Sequence, residues 1–583
     1  MSAYAIFQEA LVAHQKSDFK QASLLYESLF DNDNALLNQL HHKNKEASIL
    51  NYSSLLRKVD SSQKAIELLN RSLDWPLSYS LSFKSGAYNN LGNAYYDIEQ
   101  FNSACTAYRK SISFLPNSVD SRLSLSKVLF KLKSPNLAYK VLKDGLFLCA
   151  DSSESLKYVQ PIANILIELR HRFSSDDSSL LKFAESLQHS LPSLVKDSSP
   201  ETSFIFSNIF LAQFYLGLKS LDQALLYRDR VKDYISSASS LDSLSSSFKK
   251  NWNTLGWNLS IYLLQSGDLS NGWRLYDHGL QVASDSAQKW QRALKKPLNT
   301  STVPLWRGQS LSNSRLLILG EQGIGDTLMF LSLLPSLIKE ADHIYLYIEH
   351  RLRSIYSRSF PEKVTLLSEN DLINFSSSGL HIDYQIPAGS ICQYRFTKFS
   401  DYSHKNPVLT SNRAKTQIFR ERHFDGRPLV GISWQGGGKK NIIDQKTVPL
   451  IKWRDLLSNS KCKFVSLQYG DDLPHLKKFE KKTGINVTHD DDVNSMVDMD
   501  IWLSQVDAMD FVISVANTTV HGAASLNKPT LCLLSRDPDW RWTDQSVYQG
   551  SYWYPCVQVA QQSTDGSWQS PLTLADSWLS SNI

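Results

Sequence analysis

The feature that most constrains this chain is a change of hydrophobic period near residue 300. Before it the pattern is helical and repeats, and after it short apolar runs alternate with helical segments. The clearest repeat is residues 85–118, SGAYNNLGNAYYDIEQFNSACTAYRKSISFLPNS. Tyr88, Leu91, Gly92, Tyr95, Ala104, Tyr108 and Pro116 fall where a helix–turn–helix unit of about 34 residues puts its large, small and helix-ending residues. Gly92 and Ala104 are small where two helices must cross closely, and Pro116 stops the second helix. One period on, the register persists in Leu125, Ser126, Leu129, Ala138 and Leu142. Weaker copies centre on Ala22, Ala65 and Ala224, a last one runs from Asn253 to Leu280, and residues 151–200 fit poorly. Stacked units of this kind form a solenoid. It either only buries its own apolar stripe or also offers a groove to a protein or peptide partner.

Beyond residue 300 the apolar runs are RLLILG, HIYLYIE, PLVGISW, KFVSLQYG, DFVISVA and PTLCLLS. Continuous apolar strands separated by helices indicate parallel sheets covered on both faces. The runs fall into two clusters, about 315–400 and 427–583, so two doubly wound lobes facing each other across a cleft are expected. Ligands of such sheets bind outside the C-terminal strand ends. The expected organisation is a helical solenoid over 1–282, a linker over 283–312, a first lobe over 313–426 and a second over 427–583.

Composition excludes several classes. The chain has 583 residues, 42% hydrophobic and 20% charged, which describes a folded rather than a disordered protein. A net charge of +5, spread along the chain, gives no argument for nucleic acid or an anionic membrane. Six cysteines lie far apart with no C-x-x-C pair, so neither a disulfide framework nor a zinc site is expected. MSAYAIFQEALVAHQ lacks a basic segment followed by an apolar core, and no apolar run has the length of a membrane span. A cytoplasmic location is the expectation.

Four stretches could carry chemistry. In LLILGEQGIGDTLMF a buried strand gives way to the loop Gly320–Gly325, with Gln322, Gly323 and Gly325 lining it, and Asp326 falls at or near the next helix's N-cap. Asp326 is then either a cap or a base facing the cleft, ready to take an acceptor's proton. The glycines read G-x-x-G-x-G, which is not the dinucleotide fingerprint. In SWQGGGKKNIIDQK a strand ends at Trp434. Gly436 and Gly437 then free the backbone ahead of Lys439, Lys440 and Lys446, which suits a diphosphate or a solvated basic loop. In VISVANTTVHGAASLN, Asn517, Thr518, Thr519 and His521 sit at a strand-to-helix transition where amides and hydroxyls can hold an anion. SRDPDWRWTDQSVYQGSYWYP is dense in aromatics that could line a sugar or ring site, helped by Arg536 or Arg541. The acid clusters HDDDV and DMD read as structural, the second opening an amphipathic helix where acids favour the first turn.

The repeat residues resemble the tetratricopeptide repeat family over roughly residues 3–280. In order, GEQGIGDTLMF, SWQGG, FVSLQYGD, VISVANTTVHGAASLNKP and DPDWRW resemble bacterial proteins in which such repeats are fused to a heptosyltransferase-like glycosyltransferase module. The layout also looks like that of the O-linked N-acetylglucosamine transferases. The resemblance implies an α-solenoid followed by an α/β GT-B-type module, a nucleotide-sugar donor on the C-terminal lobe as co-substrate, and no essential metal or other cofactor. It assigns Asp326 as the acceptor's base. The donor side receives Trp434, Gly436, Gly437, Lys439, Lys440 or Lys446, Gln468 from FVSLQYGD, Asn517, Thr518, Thr519, His521 and Arg541. The chain departs from the family at Ser514-Val515-Ala516-Asn517, where relatives carry an acid in S-x-D-[ST]. The expected function is inverting glycosyl transfer to an acceptor such as a protein held by the repeats. The alternative is a non-catalytic repeat scaffold with a degenerate sugar-nucleotide lobe.

Overall fold

The computed structural model describes residues 2–148 and 200–583, except 17, 31–33, 76–78, 133, 218–219, 238–245, 282–291, 295–297, 322, 378, 403–407, 438–442, 444–445, 471, 537 and 564. The poorly fitting window at 151–199 lies outside the described residues. The chain divides into two compact units, Met1–Ser243 and Leu244–Ile583.

Among its described residues the first unit holds five helical hairpins. They are Ala3–Gln15 with Phe19–Phe30, His42–Lys58 with Ser62–Leu73, Leu81–Asp97 with Phe101–Phe114, Val119–Lys131 with Pro135–Leu148, and Pro200–Gly217 with Leu221–Ser237. One turn closes all of them. The amides of Asp18, Ser61, Gln100, Ser134 and Ser220 donate to the carbonyls of Ala13, Leu56, Tyr95, Leu129 and Tyr215 at 2.8–3.0 Å. This i to i−5 bond satisfies a helix-end carbonyl that would otherwise be orphaned. Four residues past each donor stands the small residue of the repeat, Ala22, Ala65, Ala104, Ala138 or Ala224, each fully buried. Gly92 is small for the same reason, since a methyl there would sit 2.6 Å from the Tyr108 ring.

The last repeat copy forms the same hairpin, Ser246–Gln265 with Leu269–Tyr276, closed by Asp268 N donating to Leu263 O at 2.9 Å. By its packing, however, it belongs to the second unit. Trp273 is fully buried with its ring edge-on to Phe330, Trp540 and Trp553, at centroid distances of 6.1, 5.7 and 6.1 Å. Gln265 donates to Pro538 O at 2.9 Å and accepts from Asp544 N at 2.7 Å. The segment read as a linker is likewise folded in its described part. Val303, Trp306 and Leu311 are buried, and Trp306 N donates to Gln385 O at 2.9 Å.

Two wholly parallel sheets follow. The first has β1 (Arg315–Leu319), β2 (His343–Tyr347), β3 (Val364–Leu366) and β4 (Tyr384–Pro387), in the order β3-β2-β1-β4. The second has β5 (Leu429–Ser433), β6 (Lys463–Ser466), β7 (Phe511–Val515), β8 (Thr530–Leu534) and β9 (Val557–Gln561), in the order β6-β5-β7-β8-β9. Alternate residues of each strand enter different cores, as the two-residue strand period requires. Leu317 and Leu319 join a cluster private to the first lobe, and Val430, Ile432, Ile513 and Val515 one private to the second. Leu316, Ile318, Leu429 and Val512 share a third cluster with Trp273 and Tyr276 of the hairpin. The second unit is therefore the two-lobed α/β arrangement expected of a GT-B-type module, with a helical hairpin built into its core.

A chain beginning at residue 300 should be insoluble or molten, because it exposes Phe330, Trp540 and Trp553. One beginning at 244 should unfold cooperatively, as urea unfolding followed by tryptophan fluorescence would show.

Candidate functional site

Each sheet has one place where neighbouring strands leave in opposite directions, and there the loops splay to open a crevice. In the first sheet it lies between β1 and β4, and in the second between β5 and β7. The loop after β1 is the glycine loop, and those after β5 and β7 are the second and third motifs.

The glycine loop feeds the helix Ile324–Leu331, capped by Gly323, so Asp326 is not the N-cap but a first-turn residue. With the cap position taken by a glycine backbone, the Asp326 carboxylate is free to reach across to the second lobe. Its Oδ1 accepts from Nε of Arg541 at 2.7 Å and lies 2.7 Å from Nη2. A Cβ on Gly325 would come within 3.2 Å of Thr518 Oγ1 and 3.4 Å of His521 Cδ2, and one on Gly323 within 2.9 Å of Asp326 Oδ2. Both glycines are thus explained by close approach at this point. Gln322, Lys439 and Lys440 lie outside the described residues.

Arg541 stands on the 3-10 turn Trp540–Trp542 after β8, held by Asp539, which accepts from Arg541 N at 3.1 Å and lies 3.4 Å from Nη1. Asp539 Oδ2, the oxygen facing Nη1, also accepts from Lys446 Nζ at 2.6 Å. The result is an alternating chain, Asp326–Arg541–Asp539–Lys446, that crosses the cleft. Burial alone would raise the Asp539 carboxyl, but Lys446 and Arg541 hold it far below its ordinary value. Burial would likewise lower the Arg541 guanidinium, yet Asp326 and Asp539 keep it above its ordinary value. Arg541 and Asp326 keep side-chain exposures of 24% and 28%, so the pair can be reached from solvent.

Asn517 caps the helix Thr518–Ser525 by accepting from Thr519 N at 2.9 Å. Its amide donates to Ser433 Oγ at 2.8 Å and Gln435 O at 3.0 Å, stitching the β5 and β7 loops together. Gln468 does similar work, its Oε1 accepting from Ser433 Oγ, Trp434 N and Gln435 N at 2.9–3.0 Å. The Trp434 ring is in the second lobe's core, while Gly436 lies against Lys446 and Gly437 against the Tyr469 hydroxyl. Thr519 is fully buried, and its hydroxyl has no partner among the described residues. His521 is buried against Tyr554, its Nδ1 3.2 Å from that hydroxyl. Burial, and then the nearby Arg541, push it down to about 4, so at neutral pH it is an uncharged ring.

The acid clusters are structural, as expected. Asp498 caps the helix Met499–Asp507, and Asp500 pairs with Arg358 of the first lobe. Buried Asp490 accepts from His423, Arg422 and Gln505.

Sequence reasoning missed one charged cluster behind the glycine loop. Glu321, 1% exposed, accepts from Arg292 Nη1 at 2.6 Å and from Gly389 N at 2.8 Å. Burial raises its carboxyl above the ordinary value despite these donors. Arg292 was overlooked because it falls in the stretch read as a linker.

A histidine that stays neutral in the fold to about pH 4 makes the unfolded chain bind the extra proton as pH falls below about 6.5. The stability it leaves intact above pH 6.5 is thus lost progressively towards pH 4. Urea unfolding across that window should show a steeper loss for the wild type than for His521→Gln, and equal slopes would contradict the burial of a neutral ring.

The chain matches no protein-family model. FlbA of Caulobacter vibrioides is 23% identical over 322 residues, 53% of this chain and 52% of FlbA, so the chain spans about half the length of that curated relative. Among solved structures, the MamA protein aligns over 42% of this chain and 97% of its own at 15% identity and a TM-score of 0.23. YrrB, a TPR protein with an unusual peptide-binding site, aligns over 34% and 91% at 20% identity and a TM-score of 0.23. The E. coli ADP-heptose LPS heptosyltransferase II aligns over 46% and 98% at 12% identity and a TM-score of 0.34.

Proposed function

We propose that this chain is an inverting glycosyltransferase that moves a sugar from a nucleoside-diphosphate donor to an acceptor hydroxyl, the acceptor being a protein or peptide held by the helical hairpins. The observation that supports this most is the Asp326–Arg541–Asp539–Lys446 chain, strung between the switch points of two facing parallel sheets. Lys446 and Arg541 both act on His521 of the helix Thr518–Ser525, and two cations near a helix's first turns are a combination suited to a diphosphate. When a diphosphate takes up these two cations, the carboxylates they now pair with are released. Asp326 then lies on the first-lobe side of the sugar, opposite the leaving group. There it accepts the proton of the attacking hydroxyl as the bond to the anomeric carbon forms and the sugar–phosphate bond breaks. The charge growing on the leaving diphosphate is met by Lys446, Arg541 and the helix start, and the proposal calls for no metal.

Purified full-length protein should show a thermal shift and slow hydrolysis with at least one of the UDP-, GDP-, ADP- or CMP-sugars. Binding to none of them would leave the chain a protein-binding scaffold. Asp326→Asn should lower turnover by about 100-fold or more with donor affinity kept or improved, the range a lost general base removes. Lys446→Met should weaken donor binding by roughly 10- to 100-fold, as measured by calorimetry, because it removes a charge-assisted hydrogen bond.

A further inference from the structure

We propose that Arg292 and Glu321 are positioning residues that fix the glycine loop, and through it Asp326, to the last helical hairpin. This rests on the reading of Asp326 as the acceptor's base.

The connection can be traced bond by bond. Asp277, in the turn that ends the hairpin, accepts from Arg292 Nη2 at 3.2 Å, Ser390 Oγ at 2.5 Å and Gln393 Nε2 at 3.1 Å. Arg292 also donates to Ser390 Oγ at 2.9 Å, and its guanidinium carbon lies 4.2 Å from the centroid of the Tyr276 ring. Its other arm holds the Glu321 carboxylate, which also takes the Gly389 amide from the loop after β4. The backbone is pinned as well, because Leu294 N donates to Gly320 O at 2.8 Å and Ala293 bridges to Glu321. Finally, Thr327 Oγ1 donates to the Glu321 carbonyl at 3.1 Å, so the residue next to Asp326 is tied directly to Glu321. A methyl on Gly389 would collide with Arg292 and approach Glu321 Oε1 to 2.9 Å, so that glycine is required by the pair.

A buried ion pair is weak evidence for stability, since apolar residues of equal volume often do as well. What this pair supplies is direction. It joins the hairpin, through Asp277 on Arg292, to the segment around 292 and both switch-point loops of the first sheet at one ion pair. Glu321 Oε2 has no partner among the described residues, and Asp326 is one of the like charges that, after burial, raise the Glu321 carboxyl. The other groups facing Asp326 are Arg541, with Asp539 and Lys446 behind it, neutral His521 and the buried Tyr276, while Asp277 and Arg292 stand behind Glu321.

The test compares full-length wild type with Glu321→Gln, Glu321→Ala, Arg292→Met and Arg292→Lys. Hydrogen exchange of the peptide spanning 316–330 should speed up about tenfold in Glu321→Ala and Arg292→Met, and much less in Glu321→Gln, while peptides of the second sheet are unchanged. Unchanged exchange at 316–330 would overturn the proposal, whether or not any nucleotide sugar turns over. With the donor found active in the panel above, Glu321→Ala and Arg292→Met should lower kcat with little change in donor KM. Glu321→Gln, which keeps the shape of the side chain and can still accept from Gly389 N, should retain most of the kcat that Glu321→Ala loses, a rescue that sets positioning apart from general loss of the fold. An unchanged kcat in Glu321→Ala and Arg292→Met would overturn the positioning role and leave the transferase reading standing. Absence of turnover in wild type would remove that reading, and the exchange measurement would still decide whether the pair holds the loop.

Discussion

The guanidinium of Arg541 is the point on which the two lobes agree. It has Asp326 in front of it, Asp539 beside it and the Trp540 ring 4.5 Å from its terminal carbon. An arginine cannot neutralise itself by losing a proton, so once partly buried it must be given carboxylates. The chain before Asp326 leaves room for the first-lobe carboxylate, being glycine at 323, where a side chain would press on Asp326 itself, and at 325, where one would crowd Thr518. The second-lobe carboxylate is set by the turn it caps and by Lys446. Loop sequence, helix placement and lobe contact therefore follow from one requirement, that a fixed cation be matched from both sides.

Much of this was readable in advance. Helical repeats show because the small residue must recur at the crossing in every copy, and Ala22, Ala65, Ala104, Ala138 and Ala224 all mark it. The six long apolar runs all became strands, since a strand buried on both faces has nowhere to put a polar residue. β3, β4 and β9 escaped notice because they are short or partly exposed, and a three-residue strand such as Val364–Leu366 carries too little pattern to stand out.

The site was legible in outline and blurred in its roles. Asp326 was singled out with two readings left open, a helix cap or a base facing the cleft, and the structure removes the first, since Gly323 holds the cap position. Glycine is itself an accepted cap residue, so Gly323 and Asp326 competed for that position on local grounds, and only the partner across at Arg541 distinguishes them. Asn517 looked like a weakened ligand, yet its amide donates where a carboxylate could only accept, tying Ser433 and Gln435 to the helix start. Glu321 was in plain view within the glycine loop, but its meaning depended on Arg292, twenty-nine residues earlier in a stretch that resembled a linker. Partners that far apart in sequence leave no periodicity to read.

The common turn of the hairpins has one more consequence. Because Asp18, Ser61, Gln100, Ser134 and Ser220 close their hairpins with the same bond, the hairpins of residues 2–237 are interchangeable parts, and their number can change by insertion or deletion of a whole part. The hairpin Ser246–Tyr276 has the same turn but not the same freedom. Trp273 and Tyr276 stand against Trp540, at 5.7 and 5.3 Å, next to the arginine that bridges the lobes. Lineages of such chains should therefore vary freely in repeat number while keeping this last pair in strict register with the module behind it.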